Sequence, residues 1–179
     1  MLSSFARTKA TSGGGILVAA IGGDEGILRH AAGLPNVSLH IRCNRCEYNI
    51  SAAEMTPAKS VHMFDFLRGA DVYLVARSRS YVRDKLNGAI PMAVSFLVPV
   101  VLPFDMAWDM GYDGSRFFFT FSSPGELGEA IRRASMVSRS DYEAFRDKNV
   151  ERNNEVMRSY MSGAHRDAGL LMDKPRLHF

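Results

Sequence analysis

Residues 16–32 decide the fold: Ile16-Leu17-Val18-Ala19-Ala20-Ile21, then Gly22-Gly23-Asp24, then Glu25-Gly26-Ile27-Leu28-Arg29-His30-Ala31-Ala32. The first six are apolar without polar alternation, which reads as a strand buried on both faces. Two glycines turn the chain. Asp24 is placed to cap a helix that runs to about Ala32, where Gly33 and Pro35 stop it. Val37 to Ile41 follows as a second strand. Its alternation of Val37, Leu39 and Ile41 with Ser38, His40 and Arg42 suggests an edge or half-exposed position. Strand, glycine turn, helix and strand make a βαβ unit, and such units build parallel sheets covered on both faces.

The same grammar continues outward. Arg42 to Met55 reads as polar and irregular. A helix is expected from about Pro57 to Arg68, with Val61, Phe64 and Leu67 on one face. Asp71 to Ala76 is a third strand. A loop from Arg77 to Arg83 leads into a helix that starts near Asp84 and reaches toward Leu97, with Pro91 a place for it to end or kink. Pro99 to Leu102 is the fourth strand and Arg116 to Phe121 the fifth. Ser123-Pro124-Gly125-Glu126 is a capping box that opens a helix to Val137, and Ser140 to Glu143 is a second box that opens a long helix to about Met161. The expected architecture is a doubly wound, Rossmann-like α/β domain. Its parallel sheet has about five or six strands and is closed by a long C-terminal helix. The domain spans 16–161, with a flexible tail over 1–15 and a loosely attached tail over 162–179.

Composition narrows the function. At 179 residues and 46% hydrophobic, the chain suits one domain with a substantial core. The formal charge is +3 with no dense Lys/Arg block, which argues against nucleic-acid binding. No apolar run approaches the ~20 residues that span a bilayer. Two cysteines make no disulfide framework, so a reducing, cytoplasmic compartment is the default. Met1 to Ser12 carries Arg7, Lys9, several Ser/Thr and no acid, which leaves an organellar transit peptide as the alternative.

In parallel sheets, ligands bind beyond the carboxyl ends of the strands, where the strand order reverses. The loops to inspect are therefore Gly22–Asp24, Arg42–Met55, Arg77–Arg83 and Pro103–Gly114. Gly22 to Gly26 stands where a phosphate-binding turn stands. It is not a G-x-G-x-x-G motif, no P-loop lysine follows, and Asp24 and Glu25 would repel a phosphate; a plain tight turn is the other reading. Arg77-Ser78-Arg79-Ser80-Tyr81-Val82-Arg83 is the most suggestive segment. Guanidinium forks match phosphate oxygens, a tyrosine ring can stack on a base, and Gly88 downstream lets a backbone approach a ligand. Cys43 and Cys46 read as two ordinary thiols, because His40 and His62 do not complete a zinc site at a convincing spacing. Trp108 and the aromatic block Phe117 to Phe121 read as packing. Asp105, Asp109 and Asp113 lack the closing Glu of a calcium loop. The five histidines form no triad with a nucleophile.

Longer stretches add a resemblance. "FLRGADVYLVARS", "DKLNGAIPMAVSFLVPVV", "SSPGELGEAIRRA" and "SDYEAFRDKNVERNNEVMRSYM" follow one another as the parts of the C-terminal, donor-binding domain of GT-B glycosyltransferases do. "ILVAAIGGDEGILRHAAGLPNVSLHIR" resembles that domain's first strand, glycine loop, helix and second strand. A second alignment in the same superfamily sets Gly88-Ala89-Ile90-Pro91 and Leu102-Pro103-Phe104 on the Gly-Cys-Ile-Pro and Leu-Pro-Phe stretches of exostosin-type enzymes. The resemblance implies nucleotide-sugar binding, with Gly22, Gly23, Arg77, Tyr81, Arg83, Asp84, Lys85 and Gly88 at the donor, no metal and no cofactor beyond the donor substrate. It does not name a catalytic residue. The places of the two glutamates of retaining members hold Asp84 and Met92, and Met92 cannot accept a ribose hydroxyl as a carboxylate does. The basic pair that grips the donor phosphates has no clear counterpart. An acceptor-binding domain is expected on a second subunit.

Three functions compete. The first is the nucleotide-sugar-binding half of a glycosyltransferase. The second is a catalytically inactive scaffold or regulatory domain of the same fold, whose expected sign is an exposed apolar patch. The third is an unrelated Rossmann-like hydrolase or small-molecule binder.

Overall fold

The computed structural model describes residues 15–45, 47–77, 89–110, 118–138, 140–144, 147–148 and 151. The apolar run after Gly15 forms β1 (Ile16–Ile21), and Glu25–Ala32 forms α1. The Asp24 carboxylate caps α1 by accepting from the Ile27 amide at 3.1 Å. Leu28, Ala31 and Ala32, spaced by three and four, form its buried stripe. The Gly33 amide ends the helix by donating to the Arg29 carbonyl at 3.2 Å. Leu28 is fully buried, a contribution of roughly 1.5–3 kcal/mol.

The remaining elements are β2 (Val37–Cys43), β3 (Ala53–Pro57), α2 (Met63–Arg68), β4 (Val72–Leu74), α3 (Ala89–Ser95), β5 (Val100–Pro103), α4 (Phe104–Met110), β6 (Phe118–Phe121) and α5 (Pro124–Ser135). All six strands are parallel, in the order β3-β2-β1-β4-β5-β6. That is the order of dinucleotide-binding folds, and it reverses between β1 and β4. Alternate strand residues feed two cores. Val18, Ala20, Leu39, Leu74 and Phe119 pack with Leu28 of α1 and Leu127 and Ile131 of α5. Ala19, Tyr73, Val100 and Leu102 pack with Leu67 of α2, Ile90 of α3 and Met106 of α4. The sheet is thus covered on both faces, as the doubly wound reading requires.

Several boundaries differ from the sequence expectations. Ala53–Pro57 was expected to be irregular or helical. It is instead the edge strand β3, held in register with β2 by pairs from Leu39↔Ala53 to Cys43↔Pro57 and by a His40–Glu54 contact of 3.1 Å. β2 is therefore an interior strand. Proline is tolerated at such an edge because its missing N–H breaks no interior ladder. α2 accordingly starts at Met63, with His62 as its cap. Phe104–Met110, expected as loop, is the short helix α4. Pro91 lies inside α3.

α5 opens at Ser123 with Pro124 at its first turn, and Glu126 reaches back to accept from the Ser122 amide at 2.8 Å. The last capping box sits two residues earlier than its sequence signature. Ser138 Oγ accepts from the Asp141 amide at 3.1 Å and donates to the Asp141 carboxylate. Residues 140–144 are helical. Tyr142 there is buried, and its hydroxyl donates to the Val98 carbonyl at 3.1 Å. Burial pushes its phenol well above the usual range. The remainder of the expected closing helix, beyond 144, 147–148 and 151, lies outside the described residues. Among the described residues, no helix is long and apolar enough to cross a membrane.

Candidate functional site

The reversal of strand order opens a cleft beyond the carboxyl ends of β1, β2 and β4. Its volume is about 810 Å3, and its lining includes Gly22, Gly23, Arg42, Arg45, Tyr48 and Arg77. This is within the size range of small-ligand sites. Gly22 and Gly23 make the wall between the two halves. Gly22 has φ of 54° and Gly23 of 143°, both in territory that L side chains rarely enter. A Cβ on Gly23 would lie 2.0 Å from the Ala76 carbonyl oxygen. The glycine is what allows the loop after β1 to lie directly on the end of β4.

Every amide of this turn is engaged within the chain. Gly22 N–H donates to the Arg42 carbonyl at 2.9 Å and Asp24 N–H to the Ala76 carbonyl at 2.5 Å. Gly23 N–H donates to Tyr48 Oη at 3.0 Å, and the Tyr48 hydroxyl donates to the Gly23 carbonyl at 3.2 Å. The turn is therefore locked by its own hydrogen bonds to β2, β4 and Tyr48. Charge in the cleft comes from side chains. Arg42 at the end of β2 donates from Nε to the Val61 carbonyl at 3.2 Å and from Nη2 to the Ala58 carbonyl at 2.7 Å. Arg77, after β4, donates from Nη2 to the Ile21 carbonyl at 3.2 Å. Arg45 is exposed. Among the described residues, these three guanidinium groups share the cleft with one carboxylate, Asp24, which α1 already uses as its cap. The arrangement suits an anion held by forked donors on a rigid frame.

The structure thus brings Gly22, Gly23 and Arg77 of the sequence-predicted donor residues into one cleft. Tyr81, Arg83, Asp84, Lys85 and Gly88 lie outside the described residues. Arg42, Arg45 and Tyr48 are additions. They sit in the segment read as irregular, and the signal that locates them is the parallel-sheet rule, which names that segment as a strand-following loop. Cys43 also lines the cleft. It is disulfide-bonded in the structure, where the sequence reads as an ordinary thiol. Among the described residues, no group of three or more His, Cys, Asp or Glu could hold a metal ion.

No protein-family model matches the sequence, and no curated protein matches it. Solved structures do match. The spinosyn rhamnosyltransferase SpnG complexed with spinosyn aglycone superposes with a TM-score of 0.54 and 15% identity, covering 80% of this chain and 44% of that one. A second structure of the spinosyn rhamnosyltransferase SpnG gives a TM-score of 0.53 and 17% identity, over 80% and 44%. The chain spans less than half the length of these structures. At this identity the likeness is one of fold: the chain has a glycosyltransferase-like, Rossmann-type α/β fold.

Proposed function

We propose that this chain is the nucleotide-sugar-binding half of a glycosyltransferase, working with a second subunit that carries the acceptor. The observation that carries the reading is the gathering of Arg42, Arg45 and Arg77 at the switch point between β1 and β4. A diphosphate there would meet side-chain guanidinium groups, which stabilise the charge that builds on a leaving diphosphate. The departure from the sequence expectation is in the means. The Gly22 and Gly23 amides are already engaged, so the glycines shape the cleft and the arginines supply the charge. Arg83 and the Gly88 backbone, outside the described residues, remain proposed partners on the strength of the sequence. Two further points support the glycosyltransferase reading: the GT-B resemblance of the sequence, and the fold match to SpnG.

The test is calorimetry with a panel of nucleoside diphosphates and their sugar conjugates. The expected result is saturable binding of one base, weakened about tenfold or more by Arg42→Ala or Arg77→Ala, the worth of one charged hydrogen bond. Melting curves on the same variants separate lost binding from lost folding. No binding up to millimolar nucleotide would reject the donor-binding reading. It would leave the scaffold or regulatory domain, which the internally satisfied amides of the glycine turn favour.

A further inference from the structure

Cys43 is the last residue of β2. It is 4% exposed, belongs to the core that includes Leu28 of α1, and lines the cleft. The structure has it disulfide-bonded. The chain holds two cysteines, and the other is Cys46. Within one chain the bond therefore closes a short ring over Asn44 and Arg45. Both of these residues are exposed and line the cleft.

Position gives the bond its use. The ladder between β2 and β3 ends at the Cys43–Pro57 pair, and the Ala58 amide donates to the Cys43 carbonyl at 2.8 Å. On the near side, Arg42 is anchored on the Ala58 and Val61 carbonyls. On the far side, Tyr48 is anchored on Gly23, accepting from its amide at 3.0 Å and donating to its carbonyl at 3.2 Å. Arg45 lies between these anchors in sequence, past the end of the ladder, and the disulfide spans it. The bond thus restrains a cleft guanidinium that the sheet does not hold. It also limits the path from β2 to the contact of Tyr48 with Gly23.

The surroundings suit a bond that opens and closes. Arg42, Arg45 and Arg77 line the same cleft as Cys43. Cationic surroundings favour the thiolate, the form of cysteine that takes part in thiol–disulfide exchange. A ring this short restrains the unfolded chain less than a long one does, so its opening is felt in the loop more than in the whole domain. We infer that the Cys43–Cys46 disulfide is a redox switch for the arginine wall of the cleft. Closed, it holds Arg45 and the approach of Tyr48 to Gly23 in the anion-binding arrangement; opened by a dithiol, it releases them. A thiolate of the dithiol attacks one sulfur of the pair, and the other cysteine leaves as a thiolate. The second thiolate of the dithiol then breaks the mixed disulfide and displaces the remaining cysteine. Two electrons and two protons pass to the pair, so the dithiol ends as a disulfide and Cys43 and Cys46 end as thiols. The inference rests on the donor-binding reading above and adds its regulation.

The full chain is prepared oxidised and after treatment with dithiothreitol. Alkylation followed by mass spectrometry counts the thiols in each form. Amide spectra of the isotopically labelled chain compare the loops, and calorimetry measures the affinity of each form for inorganic pyrophosphate. Cys46→Ser is studied alongside, because Cys43 belongs to the core, and melting curves check that every form is folded. The oxidised monomer should alkylate at neither cysteine and the reduced one at both. The Gly23 and Arg45 amide signals should differ between the forms. Reduction should weaken pyrophosphate binding about tenfold, the worth of one charged hydrogen bond. Cys46→Ser should match the reduced form with or without dithiothreitol. The switch is overturned if the oxidised monomer keeps both thiols, if the Gly23 and Arg45 signals are the same in both forms, or if reduction leaves pyrophosphate affinity unchanged or raises it. Failure of the donor-binding reading looks different: pyrophosphate binds neither form, and the redox dependence of the Gly23 and Arg45 signals still decides the switch.

Discussion

Replacing Gly23 by alanine tests the frame of the cleft at its tightest point. The new Cβ would lie 2.0 Å from the Ala76 carbonyl oxygen and 2.8 Å from the Ala76 Cβ. Ordinary carbon–oxygen approach is about 3.3 Å, so the turn and the end of β4 must part by roughly 1 Å. That movement removes the Asp24–Ala76 hydrogen bond and disturbs the two bonds between Gly23 and Tyr48, at about 1 kcal/mol each. A non-glycine residue at φ of 143° adds about 1–3 kcal/mol of backbone strain. The expected total is about 4–6 kcal/mol, a large part of a typical domain's stability. Gly22→Ala is the internal control. Its φ is 54°, and its nearest atom, Tyr48 Oη, is at an ordinary 3.4 Å, so it costs about 1 kcal/mol. Urea denaturation followed by circular dichroism measures both. Equal losses in the two variants, or a loss under about 1 kcal/mol for Gly23→Ala, would refute the claim that the turn is pressed against β4.

Tyr48→Phe deletes the hydroxyl that both accepts from and donates to Gly23, and should cost about 1–2 kcal/mol in the same urea assay, with the cleft's nucleotide affinity falling alongside. Tyr142 gives a pH prediction. Its phenol is raised in the folded state by burial, so its contribution is complete below the unfolded value near 10 and is lost as pH climbs toward the folded value. Stability should fall by up to about 1.4 kcal/mol per pH unit above pH ~10; Tyr142→Phe should remove that slope, and an unchanged slope would contradict the buried placement. Ser138→Ala removes the observed cap and should cost about 1 kcal/mol, whereas Ser140→Ala should cost little; the reverse order in thermal melts would return the cap to Ser140.

The sheet was legible where its residues are apolar and uninterrupted. Ile16–Ile21 and the Asp24 cap announce β1 and α1 without help from the rest of the chain, because a strand buried on both faces admits no polar residue. β3 was missed for the converse reason. Ala53-Glu54-Met55-Thr56-Pro57 is an edge strand with little apolar content and a terminal proline, and such a strand is defined by its partner, Leu39–Cys43, not by its own propensity. Pro57 in turn reads as a helix start, which its fixed φ also suits. Phe104–Met110 was missed because a seven-residue helix with two buried residues in succession shows no periodicity. Gly22, Gly23 and Arg77 line the cleft and are legible as strand-following residues, since each comes directly after a recognisable strand. Arg42, Arg45 and Tyr48 were not singled out, because the contact of Tyr48 with Gly23 joins residues 25 apart in sequence and no local pattern encodes it. Trp108, which reads as packing in the sequence, is 61% exposed; its exposure was hidden for a similar reason, since helix orientation on the sheet depends on which neighbours it packs against.

In the proposed function an anionic nucleotide is held at the switch point by Arg42, Arg45 and Arg77. The most direct measurement is a nuclear magnetic resonance titration of the isotopically labelled chain with the nucleoside diphosphate that binds best. The largest shifts are expected on the amides of Gly22 to Asp24 and on the guanidinium signals of Arg42 and Arg77, with β3 and β6 unmoved. Shifts confined to another surface, or none at saturating nucleotide, would contradict it.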